Sequence, residues 1–140
     1  MVSDYAMRLF LIFFGTMMLS ILLSLAIIYV YIKTNPFPQG SGVDERSMAF
    51  ILVPAIDVLL SLFSATLFLN FVKSIRTNAT YSFLSFFLFP ILLCLYFIVT
   101  STALNGIQLI VVIPFFSILL TNFIFYRIHI NRELLRNEEW

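Results

Sequence analysis

Four apolar runs divide the chain, and short polar stretches separate them. The first extends from Leu9 to about Ile32 and the second from about Ala49 to Val72. A third begins at Ser82 and fades by Leu104, and the fourth runs from Ile107 to Tyr126. Each is close to the roughly 20 residues with which a helix crosses a hydrocarbon core. β-Branched and aromatic residues are frequent, which in water would suggest strands, but strand alternation is absent throughout. Irregular backbone cannot face lipid, so each run predicts a helix. The first run far exceeds the roughly 7–15 residues of a secretory-signal core, and no A-x-A-like site closes it, so an uncleaved helix is expected. The expected fold is an all-α integral membrane protein: one domain, residues 1–140, with four transmembrane helices in an antiparallel up-and-down bundle and a tail over 127–140.

Composition agrees with the pattern. The chain is 61% hydrophobic and 11% charged, too little charge for a water-facing surface, and mean hydropathy is strongly positive. A net charge of +1 and the lack of a basic stripe with interleaved aromatics set nucleic acid aside as a partner. Cys94, the single cysteine, excludes an internal disulfide or thiolate metal cluster. It lies in an apolar run, where a thiol acts as a small hydrophobe. The lone His129 has no second histidine or nearby cysteine to complete a metal site, and no cofactor is expected.

Charge placement predicts direction. With four spans, the N-terminus, the second loop and the tail share one side. That side holds Arg8, Lys73, Arg76, Arg127, Arg132 and Arg136, six of the eight Lys and Arg residues, against Lys33 and Arg46 opposite. Both termini are therefore expected in the cytoplasm, with the plasma (inner) membrane as the location. Tyr29, Tyr31, Tyr81 and Tyr126 fall near span ends, where aromatic belts form. Asn78-Ala79-Thr80 matches a glycosylation tripeptide but sits in the expected cytoplasmic loop, so it should be unmodified. The outer loop KTNPFPQGSGVDERS is rich in proline and glycine and should resist regular structure. Asn105-Gly106 suits a tight turn between the last two helices.

Within this apolar frame stands FILVPAIDVLLSLF, with Asp57 in its middle. Placing the span centres near residues 20–21 and 60–61 puts Asp57 about 5 Å outside the midplane. A charged carboxylate there costs about 3 kcal/mol, and protonating it at neutral pH costs about 4 kcal/mol. Helix one offers hydroxyls at Thr16, Ser20 and Ser24, spaced four apart and hence on one face. Antiparallel neighbours at equal depth have numbers with a constant sum, so Ser24 should meet Asp57, Ser20 should meet Ser61, and Thr16 should meet Ala65. This stripe of small and hydroxyl residues is the expected interface of helices one and two. No Lys, Arg or His lies inside any span to pair with the carboxyl.

Three readings of Asp57 follow. It is protonated or serine-bonded glue within the bundle. Alternatively, Pro54 frees the Phe50 carbonyl, water enters from outside, and the carboxyl binds a proton or cation. In the third, a cation from another chain completes the pair. Pro54, Pro90 and Pro114 each sit inside a different span and are expected to bend it, with shape rather than gating as the ordinary consequence. Asn70 and the Ser117–Thr121–Asn122 group are expected to bond helix to helix. The phenylalanine-rich SFLSFFLF should cover lipid or a partner helix. In the tail, Arg132, Arg136 and Trp140 form a possible docking handle on a stretch that prolongs helix four or lies along the interface.

Catalysis is the weakest expectation, because no nucleophile–base pair, paired carboxylates or glycine-rich phosphate loop is present. The leading expectation is a non-enzymatic accessory, assembly or protective subunit of a larger membrane complex. The alternative is a homo-oligomeric small transporter or channel using Asp57 as a proton- or cation-binding carboxylate. Lipid, with another membrane protein or a second copy of the chain, is the expected partner.

Overall fold

The computed structural model describes residues 2–34, 45–100 and 106–138, with side chains for a smaller set. Every regular element is helical: α1 (Val2–Thr34), α2 (Glu45–Phe63), a 3₁₀ segment (Ser64–Phe71), α3 (Lys73–Thr77), α4 (Ala79–Thr100) and α5 (Gly106–Glu138). Four stretches are long and apolar enough to cross a membrane: Tyr5–Thr34, Met48–Phe71, Ala79–Phe97 and Ile110–Leu135. The tail prolongs the last helix as far as Glu138, while Trp140, most of the proline-rich loop and Asn105 lie outside the described residues. Pro54, Pro90 and Pro114 are each inside a helix.

Packing follows side-chain size. α1 buries Leu9, Thr16, Ser20, Ser24 and Ile28, and its small polar members let α2 and α5 approach closely on either side. Gly15 takes no part, since a Cβ there would meet nothing within 4 Å. Tyr5 meets Glu133 and Thr16 meets Asn122, which fixes α1 and α5 as antiparallel neighbours. Between α4 and α5 the backbones stay farther apart, and rings fill the gap. Phe86 packs edge-on against Phe123 with centroids 5.2 Å apart, and Phe83 stacks on Phe87 at 4.6 Å. The phenylalanine-rich start of α4 thus turns three rings toward α5, where Phe116, Phe123 and Tyr126 receive them.

The second apolar run is not one α-helix. Past Phe63 it tightens into eight residues of 3₁₀ helix, well beyond the three or four usual for that form. The change of helix type comes ten residues after Pro54 and involves no proline. A 3₁₀ turn brings every third residue into line, and Ser64, Leu67 and Asn70 are all buried. Bonds to α4 hold this line in place. Thr66 donates to the Ser85 carbonyl at 2.7 Å, and Asn70 Nδ2 donates both to the Ser85 hydroxyl and to the Leu67 carbonyl, the latter at 2.9 Å. Ser85 in turn donates to the Ser82 carbonyl.

Residue 78 begins α4 as an N-cap. Asn78 Oδ1 accepts from the amide of Thr80 at 2.9 Å and more weakly from that of Tyr81 at 3.4 Å. These are amides a helix leaves unpaired in its first turn. The glycosylation-like tripeptide thus has a local structural use. Asn78→Ala is expected to lower stability by about 1 kcal/mol, and Asn78→Asp or Asn78→Ser to retain most of it. Unfolding curves in mixed micelles check this; equal stability of Asn78→Ala and wild type would refute the cap.

Candidate functional site

Asp57 is completely buried, between α2 and α1. The position follows from the sequence of α2. Val53, Asp57, Leu60 and Ser61 recur at three- and four-residue steps, so one face of the helix carries them, and all are buried. Ser20 donates its hydroxyl to Asp57 Oδ1 at 2.7 Å, which joins the two helices. Ser24 stands one turn along the same face and also borders the carboxyl. Its Oγ and Asp57 Oδ2 are both buried and have no hydrogen-bond partner. Ser61 donates to the backbone carbonyl of Asp57 at 2.8 Å, so its hydroxyl serves its own helix rather than Ser20. Among the described residues no cationic side chain accompanies the carboxyl.

Ser20, expected to meet Ser61, bonds Asp57 one turn away, while Ser24, the partner expected for Asp57, borders the same carboxyl. Thr16 is bonded by Asn122 of α5 at 2.9 Å. The midpoint of residues 45–71 is 58, so Asp57 is near the middle of its helical segment. Thr16, Ser20, Ser24, Asp57 and Ser61 are all buried.

A second polar cluster gathers at the end of the bundle where α1 begins and α5 ends. Tyr5 donates to Glu133 Oε2, and the Arg76 guanidinium lies over the Tyr5 ring, 4.0 Å from its centroid. Arg127 donates to the Arg76 carbonyl at 2.8 Å and to Asn131 Oδ1 at 3.2 Å. His129 Nε2 lies 2.9 Å from Glu133 Oε1, one turn away on α5. Sequence reasoning did not find this cluster, because its members come from three separate segments. The signal available was the aromatic and charged mixture just outside the first and last apolar runs. Ser117 and Thr121 donate to carbonyls of their own helix, at 2.8 Å each, so of that polar group only Asn122 reaches another helix. Arg132 is exposed, and the side chain of Arg136 lies outside the description, as does Trp140.

No three His, Cys, Asp or Glu side chains among the described residues converge as metal ligands. Cys94 is a free, half-buried thiol. The arrangement around Asp57 can hold a proton on the carboxyl or clamp two helices; it holds no paired nucleophile and base. Compared with known proteins, the chain matches no family model, no curated protein and no solved structure.

The two serines beside Asp57 separate cleanly by mutation. Ser20→Ala removes a bonded partner of a buried carboxyl and should lower stability by about 0.5–2 kcal/mol. Ser24→Ala removes an unpartnered hydroxyl and should change stability by less than about 0.5 kcal/mol. Unfolding in mixed micelles reads both, and the opposite ranking would make Ser24 the principal donor to the carboxyl.

Proposed function

We propose that the chain is a non-enzymatic accessory, assembly or protective subunit, embedded in the plasma (inner) membrane beside a larger protein with both termini in the cytoplasm. One observation carries the reading: several deep polar side chains are used to bond the chain's own helices to one another. Ser20 holds Asp57, Asn122 holds Thr16, and Asn70 and Thr66 hold Ser85. The outward faces are left apolar, with Leu22, Ile51, Leu62, Val99 and Ile113 more than half exposed. Such a bundle offers neighbours a surface and little chemistry. An exposed intramembrane cation-seeking site is not what Asp57 provides, since its carboxyl is turned inward on Ser20. Exposed Arg132 and Leu135, near the end of α5, give a docking handle beyond the apolar surface.

Direction in the membrane is supported by charge. Arg8, Arg76 and Arg127 come to the same end of the bundle, and Tyr5 and Glu133 tie the start of α1 to the end of α5 there. The positive-inside bias supports a cytoplasmic assignment for that end.

The second reading, an oligomeric transporter or channel, has its own observation. Asp57 Oδ2 and Ser24 Oγ are adjacent, buried and unpartnered, which is how a proton-binding carboxyl would be kept. Native mass spectrometry of the protein released gently from its own membrane, followed by Asp57→Asn, tests both. The accessory reading expects a stoichiometric complex with a different, larger membrane protein and no flux from the chain alone. A homo-oligomer whose proton or cation flux in proteoliposomes vanishes in Asp57→Asn would overturn it in favour of transport.

A further inference from the structure

The helix type of Ser64–Phe71 decides which of its side chains face inward. In the 3₁₀ form Ser64, Leu67 and Asn70 share a line and are buried, while Phe71 is 42% exposed. An α-helix through the same residues would bring Phe71 to within about 20° of Ser64's line and turn Asn70 about 120° away from it. Leu60 and Ser61 are already buried in the turn before. The α form would therefore extend the buried face of α2 with a ring, and would carry the Asn70 amide away from α4.

Ser85 of α4 holds the 3₁₀ form. Asn70 Nδ2 donates to its hydroxyl, and Thr66 donates to its carbonyl. The latch is incomplete, because Asn70 Oδ1 and the neighbouring Ser82 hydroxyl are buried and bond nothing among the described residues. Backbone hydrogen bonds are also poorer in a 3₁₀ helix than in an α-helix. Both facts bring the two forms closer in free energy.

The residues that follow would feel a change of form. Val72 is extended and leads into Lys73–Thr77. There the Arg76 guanidinium lies 4.0 Å from the Tyr5 ring centroid, and the Arg76 carbonyl accepts from Arg127. Rise is about 2.0 Å per residue in a 3₁₀ helix and about 1.5 Å in an α-helix, so eight residues shorten by about 4 Å. That is as large as the separation of Arg76 from the ring it covers. We propose that Ser64–Phe71 is a two-state helix, latched as 3₁₀ by Asn70 on Ser85, whose release to α-helix shortens the second span and draws Arg76 off Tyr5. The inference does not depend on the accessory role.

Solution NMR of the isotope-labelled full chain in mixed micelles reads the helix type without a probe. Hα-to-amide contacts two residues on mark a 3₁₀ helix, and contacts four residues on mark an α-helix. Wild type should show the first kind across Ser64–Phe71, and Asn70→Leu should show the second. Ser85→Ala keeps the carbonyl that Thr66 uses and should convert the segment likewise, which preserves the test if Asn70→Leu does not fold. Ser117→Ala, a hydroxyl bonded only to its own helix, should change nothing. Movement is read by electron–electron spin distances between labels at the exposed positions Met7 and Ser74, in a Cys94→Ala background. The Met7–Ser74 distance should shift by about 4 Å in either converting variant. A wild-type segment with α-type contacts, latch variants that stay 3₁₀, or conversion with unmoved labels would each overturn the proposal. Each of these outcomes leaves the accessory reading standing, since that reading turns on the partner found by mass spectrometry.

Discussion

The hydrogen bond from Ser20 to Asp57 sets the terms for the rest of the bundle. Deep in an apolar assembly a carboxyl has few options, and one unmet oxygen there is costly. Ser20 can reach it only if α1 and α2 lie close, which the small side chains along α1 permit. Once those two helices are fixed, the remaining faces of α1 are committed as well. Thr16 is turned to α5, where Asn122 bonds it, and Leu9 and Ile28 join the apolar packing above and below. Single interhelical hydrogen bonds in membranes average only about 0.6 kcal/mol. Their larger effect is on which face of α1 meets α2, because rotating α1 would take Ser20 and Ser24 away from the carboxyl together.

Two kinds of packing share the molecule. On the α1 side, hydroxyl and small residues bring backbones together, and polar bonds fix depth. On the α4 side, rings of Phe83, Phe86 and Phe87 meet Phe116, Phe123 and Tyr126, and bulk sets the spacing. The 3₁₀ segment connects the two regimes. It follows directly from the turn that holds Ser61, and its aligned Ser64, Leu67 and Asn70 face the start of α4. Tightening the helix there brings into one line three residues that an α-helix would fan across about 120° of its surface.

Much of this was legible in the sequence. The apolar runs located four helices of spanning length, and the four-residue spacing of Thr16, Ser20 and Ser24 placed them on one buried face. Which serine donates to the carboxyl was not legible, because Ser20 and Ser24 both border Asp57. Hydropathy marks where apolar residues stop, whereas a helix continues through polar residues as far as its capping and contacts allow. α1 begins with residue 2 and α5 continues to residue 138 for that reason, and the depth reference moves with them. The 3₁₀ stretch had a faint signal in Ser61, Ser64 and Asn70, which recur at multiples of three. Pro54, Pro90 and Pro114 drew attention instead, although each of the three lies within an α-helix. For the Tyr5–Arg76–Glu133 cluster only the mixture of aromatic and charged residues outside the apolar runs was a signal, since nothing local joins residues so far apart in the chain.

α1 and α5 have 33 residues each, about 50 Å of helix, well beyond a hydrocarbon core of roughly 30 Å. Their overhanging ends meet through Tyr5 and Glu133, which are 128 positions apart, and Thr16 and Asn122 are 106 apart. Ser20 and Asp57 are separated by only 37. On a ribosome adding about 5–20 residues each second, the first pair of helices can therefore clasp about 3–13 seconds before α5 is complete. During that interval Thr16 and Tyr5 face a bundle with one wall missing. Synthesis of the last helix closes it, so the order in which the chain is written is also the order in which its interior shuts.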